Sequence, residues 1–340
     1  MKQKINYFTI MTTGRTGSDY LQCCIDSVPG VITLTGQTYF KKFFTKFDFN
    51  LKNKNKEILI NTFLRDYKNL FESDILENKI INIKKSKFKK NFLKNVKNIV
   101  LNEKNFIENI FIAFEQTTRN KFKSIKSIVN HSHSLEETEY FLKLYPKAKL
   151  IITIRDPLEN LRSGLVNWKK FTNDNLNKNH NYFYTYRILR DLQFSEKVKN
   201  DKIYVKLESS FKLNEKKKIL KFLDLNYSKK INLATCNGIP WIGDKLSQTR
   251  TTDGSFNKNI LQKKAQEFFN KKDLFLLKYF YRSYQKFGYH KNKYNFIDMF
   301  KFKILTFSLL SYELKEVIRY PFKISNYYFI AKRIYKFLKE

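Results

Sequence analysis

The chain has little of the cysteine that a disulfide-stapled domain needs: three in 340 residues, with Cys23 and Cys24 adjacent. They make no disulfide framework, so a reducing compartment is expected. Cys23 and Cys24 then pack as small apolar groups under the first helix, and Cys236 carries no signal. No stretch approaches the ~20 apolar residues that a membrane span requires. The apolar run after Met1-Lys2-Gln3-Lys4 is too short for a signal peptide, and the expected location is cytoplasmic. Acid is also scarce, with 31 Asp+Glu against 66 Lys+Arg and a formal net charge of +35. Such an excess suits polyanions. Lys, however, is spread over the whole chain with Asn, Ile, Phe and Tyr, not clustered on one helix. We read this as bias towards A/T-rich codons, its charge carried on solvated faces. A nucleic-acid partner is therefore not expected, although an anionic cosubstrate or polyanionic acceptor is favoured. No internal repeat is visible. The length suffices for a real core, as one domain with insertions or two small ones.

What the chain does have is a glycine loop near its start. The apolar run Tyr7 to Met11 stops at Thr12-Thr13-Gly14-Arg15-Thr16-Gly17-Ser18, and a helical pattern follows through Leu21, Cys24 and Ile25. Strand, small-residue loop and helix N-terminus make an anion cradle: backbone N–H groups converge, the helix dipole adds positive potential, and Arg15 adds a full charge. Gly14 and Gly17 let the backbone approach a phosphate-like group closely. The nucleoside-triphosphate loop G-x-x-x-x-G-K-[ST] is missing, since these glycines are three apart and no Lys precedes Ser18. An anion neutralised by Arg fits better than a Mg-dependent kinase. A surface glycine turn before a helix is the plain alternative.

Alternating strand and helix signals follow. Val31 to Thr35 has strand character, ending at Gly36-Gln37. From about 41 to 126 the apolar residues recur at helical spacing, which predicts a helical insertion. Ser127-Ile128-Val129 reads as a short strand ending at Asn130-His131-Ser132-His133, and Glu136 to Tyr145 as a helix. Lys149 to Ile154 is Ile-rich, as in a buried parallel strand. It ends at Arg155-Asp156-Pro157, with Pro157 suited to the first turn of the next helix. The pattern predicts an α/β fold, a parallel central sheet flanked by helices. The α/β domain covers 1–290, including the insertion, and 291–340 forms a basic, aromatic helical tail. Helices packing back on the core are expected there, and peripheral membrane contact is the alternative.

Arg155 stands at the carboxyl end of a strand, the edge where open α/β sheets bind ligands. Ser163 lies eight residues on, about two helical turns, so a guanidinium fork and a hydroxyl can serve one anion. An Arg paired with Asp156 or Glu159 is the plain alternative. Taken together, the glycine loop and this Arg/Ser segment suit a ligand with two separated anionic groups.

At this point the sequence resembles a family, the sulfotransferases that use 3′-phosphoadenosine 5′-phosphosulfate (PAPS). Thr13-Gly14-Arg15-Thr16-Gly17-Ser18 is similar to that family's 5′-phosphosulfate loop, in the Arg-Thr-Gly-Ser form common among carbohydrate and bacterial members. Ile152 to Ser163 is similar to its 3′-phosphate segment, and the lead-in Leu144 to Ile151 also fits. The resemblance covers roughly residues 5 to 40 and 125 to 290. It implies a P-loop-like sulfotransferase fold, PAPS as cosubstrate, no metal, and a carbohydrate or glycoconjugate acceptor. By the same resemblance, the amides of Arg15 to Asp19 wrap the phosphosulfate. Arg15 offsets charge on the departing phosphate oxygen, Ser18 adds a donor, and Arg155 with Ser163 holds the 3′-phosphate. A late glycine-containing loop closes the nucleotide in the family; Arg250, Thr251 and Gly254 are the candidates here, although little of that pattern is kept.

Sulfuryl transfer to a hydroxyl gains ~10²–10⁴-fold from a positioned base. Many relatives implied by the resemblance carry Glu or His just beyond the second strand, where this chain has Gln37, which accepts no proton. Cytosolic members use a His some two dozen residues before the 3′-phosphate Arg. His133 lies 22 and His131 24 residues before Arg155; we favour His133, with Gln37 orienting the acceptor. A pair of polar loop histidines is the plain reading. A nucleotide-dependent phosphotransferase, a basic nucleic-acid or membrane-surface binder, and an inactive family member stay open.

Overall fold

Strand β1 (Asn6–Thr12) is the middle of the fold, and its last five residues are buried. A strand covered on both faces needs apolar or small side chains at every position, as Phe8, Thr9, Ile10 and Met11 supply. The computed structural model describes residues 5–34, 36–76, 79–118, 125–172, 180–243, 253–290 and 294–339. Five strands form the central sheet in the order β2-β5-β1-β6-β7: β2 (Val31–Ile32), β5 (Ser127–Ser132), β6 (Lys149–Ile154) and β7 (Lys202–Lys206) join β1. Strand β1 runs parallel to both β5 and β6, and β2 runs parallel to β5. Met11 pairs with Ser132 and Thr12 with Thr153, so β1, β5 and β6 end level at one edge. The expected α/β fold with a parallel sheet is therefore observed. Helices α1 (Ser18–Asp26), α5 (Glu103–Thr118) and α6 (Leu135–Leu144) pack against the sheet.

Three sequence expectations change in detail. Only Val31–Ile32 of the predicted Val31–Thr35 strand is a strand. Strand β5 continues through Ser132, which puts His131 inside the sheet and not in a loop. The 41–126 insertion is not purely helical: α2 (Phe40–Thr45), α3 (Lys56–Asp66), α4 (Lys85–Asn95) and α5 enclose an antiparallel pair, β3 (Glu72–Leu76) with β4 (Lys79–Asn82). The helical parts close around an aromatic core. Phe43 stacks on Phe106 at 5.2 Å, and Phe63 lies 5.7 Å from Phe43 and 4.7 Å from Tyr67.

The chain divides into two compact units. The first holds residues 1–12, 17–153 and 199–260, including α9 (Leu213–Phe222) and the small pair β8 (Thr235–Cys236) and β9 (Ile239–Pro240). Its three cysteines, Cys23, Cys24 and Cys236, are buried and make no disulfide. The second unit holds 13–16, 154–198 and 261–340. It contains α7 (Pro157–Thr172), α8 (His180–Lys197), α10 (Ala265–Phe268), α11 (Lys271–Phe280), α12 (Phe296–Leu305), α13 (Ser311–Arg319) and α14 (Ile324–Lys339). The tail is helical as expected and packs back within this unit. Phe337 of α14 lies 4.1 Å from Phe280 of α11, and Lys336 reaches Gln193 of α8 at 3.2 Å. Among the described residues no helix is long and apolar enough to cross a membrane.

Candidate active site

In the second unit, the loop arm Thr13–Thr16 is tied to α7 by one side chain. Asn160 is fully buried. Its Oδ1 accepts from the backbone N–H of Arg15 at 2.7 Å, and its Nδ2 donates to the carbonyl of Thr13 at 2.9 Å. One amide thus holds both sides of Gly14. That residue has φ +122°, and a Cβ there would sit 2.5 Å from Asn160 Oδ1. Only glycine lets the loop come this close. Thr13 and Thr16 are buried beside it.

The strand that delivers Arg155 leads into α7. Asp156 caps that helix, its Oδ1 accepting from the N–H groups of Leu158 (3.0 Å) and Glu159 (3.2 Å), with Pro157 at the first helical position. Glu159 is committed elsewhere: it accepts from Arg162 at 2.9 Å and from the backbone N–H groups of Lys264 and Ala265 at 2.6 and 2.7 Å. Arg155 is buried at the sheet edge. Asn160, Ser163 and Asn167 follow at three- and four-residue spacing, which puts them on one face of α7. Asn167 Nδ2 donates to Ser163 Oγ at 3.5 Å. The second unit therefore gathers Thr13, Gly14, Arg15, Thr16, Arg155 and Ser163, with Asn160 joining loop to helix.

In the first unit, α1 starts at Gly17, whose φ of +76° is left-handed and which has no side chain to cap the helix. A Cβ there would lie 2.4 Å from Leu207 Cδ1. Ser18 opens the helix, and its Oγ lies 3.1 Å from Nε2 of His133. Asp19 stands 3.6 Å from the same Nε2 and 3.9 Å from Nδ1 of His131. The two histidine rings meet edge to face, 4.7 Å apart.

Their environments differ. Gln22 donates its Nε2–H to the carbonyl of Leu34 at 2.7 Å, so its Oε1 faces His131 Nδ1 at 2.7 Å and that nitrogen carries the proton. Nε2 of His131 is then a bare, buried lone pair with no hydrogen-bond partner among the described residues. Burial lowers the pKa of His131, with Asp19 pulling weakly upward, so the ring stays neutral. His133 is partly exposed. Gln37 Nε2 lies 2.8 Å from His133 Nδ1, while Gln37 Oε1 accepts from the Tyr39 hydroxyl at 2.9 Å. In this arrangement the neutral His133 ring accepts at Nδ1 and donates from Nε2 to Ser18 Oγ. With the Gln37 amide turned over and Tyr39 changed from donor to acceptor, the proton sits on Nδ1 and Nε2 accepts from Ser18 Oγ. Gln37 is thus bonded to the ring nitrogen whose protonation distinguishes the two tautomers, and its Nε2 also lies 3.3 Å from His133 Nε2. Asp19, His131 and His133 each offer a ligand-type atom within 4.8 Å of the others, a set that suits a metal by composition. Two of its nitrogens are engaged by Gln22 and Ser18 instead.

Sequence reasoning missed Asn160, Gln22 and Tyr39. For Asn160 the available signal was an amide in a helix interior one position from the Leu158–Leu161–Leu165 stripe, a poor place for a residue of low helix propensity. Of the late loop, Arg250 and Thr251 lie outside the described residues. The carbonyl of Gly254 accepts from Ala234 N–H at 2.9 Å, beside Phe256, which stacks on Phe211 at 4.8 Å and meets Tyr20 edge-on at 5.0 Å.

No protein-family model matches the chain, and no curated protein does. Among the solved structures it is similar to are three sulfotransferases. One is the sulfotransferase domain from the curacin biosynthetic pathway, with 13% identity and TM-score 0.41, covering 68% of this chain and 77% of that one. Another is the sulfotransferase domain of the Synechococcus PCC 7002 olefin synthase, with 13% identity and TM-score 0.39, covering 78% and 86%. The third is sulfotransferase STF9 from Mycobacterium avium, with 12% identity and TM-score 0.36, covering 67% and 66%. In its two sequence motifs and in these comparisons, the chain resembles sulfotransferases.

Proposed function

We propose that this chain is a PAPS-dependent sulfotransferase, transferring a sulfuryl group to an acceptor hydroxyl on a carbohydrate or glycoconjugate. The observation that carries this reading is the Asn160 tie, because it joins the glycine loop to the helix that follows Arg155. A phosphosulfate loop and a 3′-phosphate segment must act on one nucleotide, and a side chain bonded to both flanks of Gly14 holds them in one unit. The donors of that unit also fit: Arg15 in the loop, a buried Arg155, and the Ser163 hydroxyl on the Asn160 face. PAPS, when bound, supplies the sulfuryl group. Arg15 and Ser18 hold charge at the phosphate that departs, and Arg155 and Ser163 distinguish a 3′-phosphate.

His133 is the base in this reading. As the acceptor oxygen bonds to sulfur and the S–O bond to phosphate breaks, the hydroxyl proton passes to Nε2 of His133. The Gln37 amide must then present the tautomer with its proton on Nδ1, so Gln37 is a positioning residue here. His131, buried and neutral, is held by Gln22 of α1 through its Nδ1. The acceptor class rests on the Arg-Thr-Gly-Ser form of the loop.

The test is calorimetric binding of adenosine 3′,5′-bisphosphate against ADP with Mg²⁺, followed by transfer from labelled PAPS to a glycan panel. We expect the bisphosphate to bind without metal and more tightly, and Arg155→Ala to weaken it at least about tenfold, the scale of a lost charge-assisted hydrogen bond. His133→Asn leaves that binding intact and lowers kcat by about 10²–10⁴-fold. Preference for ADP-Mg overturns the reading in favour of phosphoryl transfer.

A further inference from the structure

The C-terminal helices carry apolar side chains that are left open among the described residues. On α12, Phe296, Ile297, Phe300 and Ile304 are 76, 73, 61 and 57% exposed, and Phe307 just beyond is 64% exposed. At 3.6 residues per turn these positions fall in one stripe about 100° wide. Phe302 lies on the opposite side and is buried, stacked on Tyr279 at 3.9 Å and on Phe337 at 5.4 Å. The helix is therefore two-faced, with one apolar side spent on the core and the other open. Phe322, in the turn between α13 and α14, is 96% exposed.

A frayed helix would explain such exposure, but this region is clamped. Arg333, 1% exposed, donates to Glu313 at 3.0 and 2.7 Å, to the carbonyl of Thr306 at 2.6 Å and to that of Ser308 at 3.0 Å. Glu313 also accepts from Leu310 N–H at 2.9 Å. One buried guanidinium thus pins α14 to α13 and to the chain leaving α12, and the open stripe is a built surface.

Charge identifies the occupant. Four exposed apolar residues here are followed directly by a cation, Phe300-Lys301, Leu314-Lys315, Ile318-Arg319 and Phe322-Lys323, although on the α12 stripe itself Phe300 alone is. Two of the acids are engaged locally, Asp298 in the capping box that starts α12 and Glu313 buried under Arg333. Apolar side chains with Lys and Arg stems beside them suit the boundary between acyl chains and anionic headgroups, where the stem lies along apolar surface and the ammonium meets phosphate. A second copy would set cation against cation, and nucleic acid gives Ile297 and Ile304 nothing to bury against. We propose that α12, with the α13–α14 turn, seats the chain in the plane of an anionic lipid surface. This inference does not depend on the sulfotransferase reading.

The experiment is co-sedimentation of the full chain with vesicles of neutral phosphatidylcholine alone or with about 30 mol% phosphatidylserine. Binding at least about tenfold stronger to the anionic vesicles, and weakened by salt, is expected. The double variant Phe300→Asp/Ile304→Asp should lose that gain, while Ile58→Asp, an exposed apolar residue of the insertion, should keep it. If the double variant melts below the parent, the triple variant Lys301→Glu/Lys315→Glu/Arg319→Glu provides the same test by charge alone. Equal, weak sedimentation with both vesicles overturns the proposal. So does a dimer in ultracentrifugation that the double variant dissociates without any change in lipid binding, since the occupant is then a second copy.

Discussion

Phenylalanine meets opposite fates in the insertion and in the C-terminal tail. Phe40, Phe43, Phe44, Phe63, Phe88 and Phe106 of the insertion are buried in one ring cluster, whereas Phe296, Phe300, Phe307 and Phe322 of the tail stand in the open. Codon bias accounts equally well for the presence of both sets. Placement separates them. Helices α3, α4 and α5 turn their apolar faces towards one another, while α12 spends only its Phe302 side on its neighbours. A residue type enriched by composition becomes informative only once its partners are known.

The tail nonetheless has a buried clamp of its own, and that clamp gives the largest expected effect. Glu313→Ala leaves Arg333 buried beside two carbonyls without its carboxylate, and a buried charge stripped of its partner costs about 3–5 kcal/mol. Urea unfolding should show that loss as a lower midpoint. A change under about 1 kcal/mol would mean that the clamp is wet and the tail loose. Phe63→Ala removes a ring in contact with Phe40, Phe43, Tyr67, Phe88 and Phe106, and the cavity should cost a similar or slightly smaller amount, about 3–4 kcal/mol. Its counterpart Phe300→Ala should move stability by no more than about 0.5 kcal/mol, as for other exposed sites. Equal losses for the two phenylalanines would erase the distinction between the regions.

Much of the frame was legible because the sheet obeys a simple rule: strands buried on both faces read as unbroken apolar runs. Lys149 to Ile154 was delimited correctly for that reason, and the strand before the glycine loop, read as Tyr7 to Met11, extends one residue further at each end. The pair β3–β4 was hidden, since Glu72 to Asn82 mixes Lys, Asn, Asp and Ile without alternation or a glycine turn to mark it. For the proposed site, the sequence offered Gly14, Gly17, Arg155 and Ser163 as residue types that anions need. Asn160 was not, because its role depends on a contact 147 residues away in sequence, with Thr13. Gln37 was noticed as a missing carboxylate, and its bond to His133 Nδ1 gives it a different meaning.

The smallest comparison is also the most direct: two histidines, two residues apart, one inside the sheet and one just beyond its edge. Burial holds the His131 pKa below its ordinary 6.5, so the folded chain resists a proton that the unfolded chain accepts. The stability that depends on a neutral His131 is complete above the unfolded value of about 6.5. It is lost as pH falls from there through the lowered folded value. Melting temperature should therefore drop more steeply between about pH 7.5 and about 5.5 in the parent than in His131→Asn, which removes the titrating ring. His133→Asn retains the buried ring and should retain the His131 part of that slope. Parallel slopes for the parent and His131→Asn would show that the ring takes up its proton in the folded state. Acid would then protonate the ring beside Asp19 without unfolding the chain, and the division of labour between the two histidines would fail.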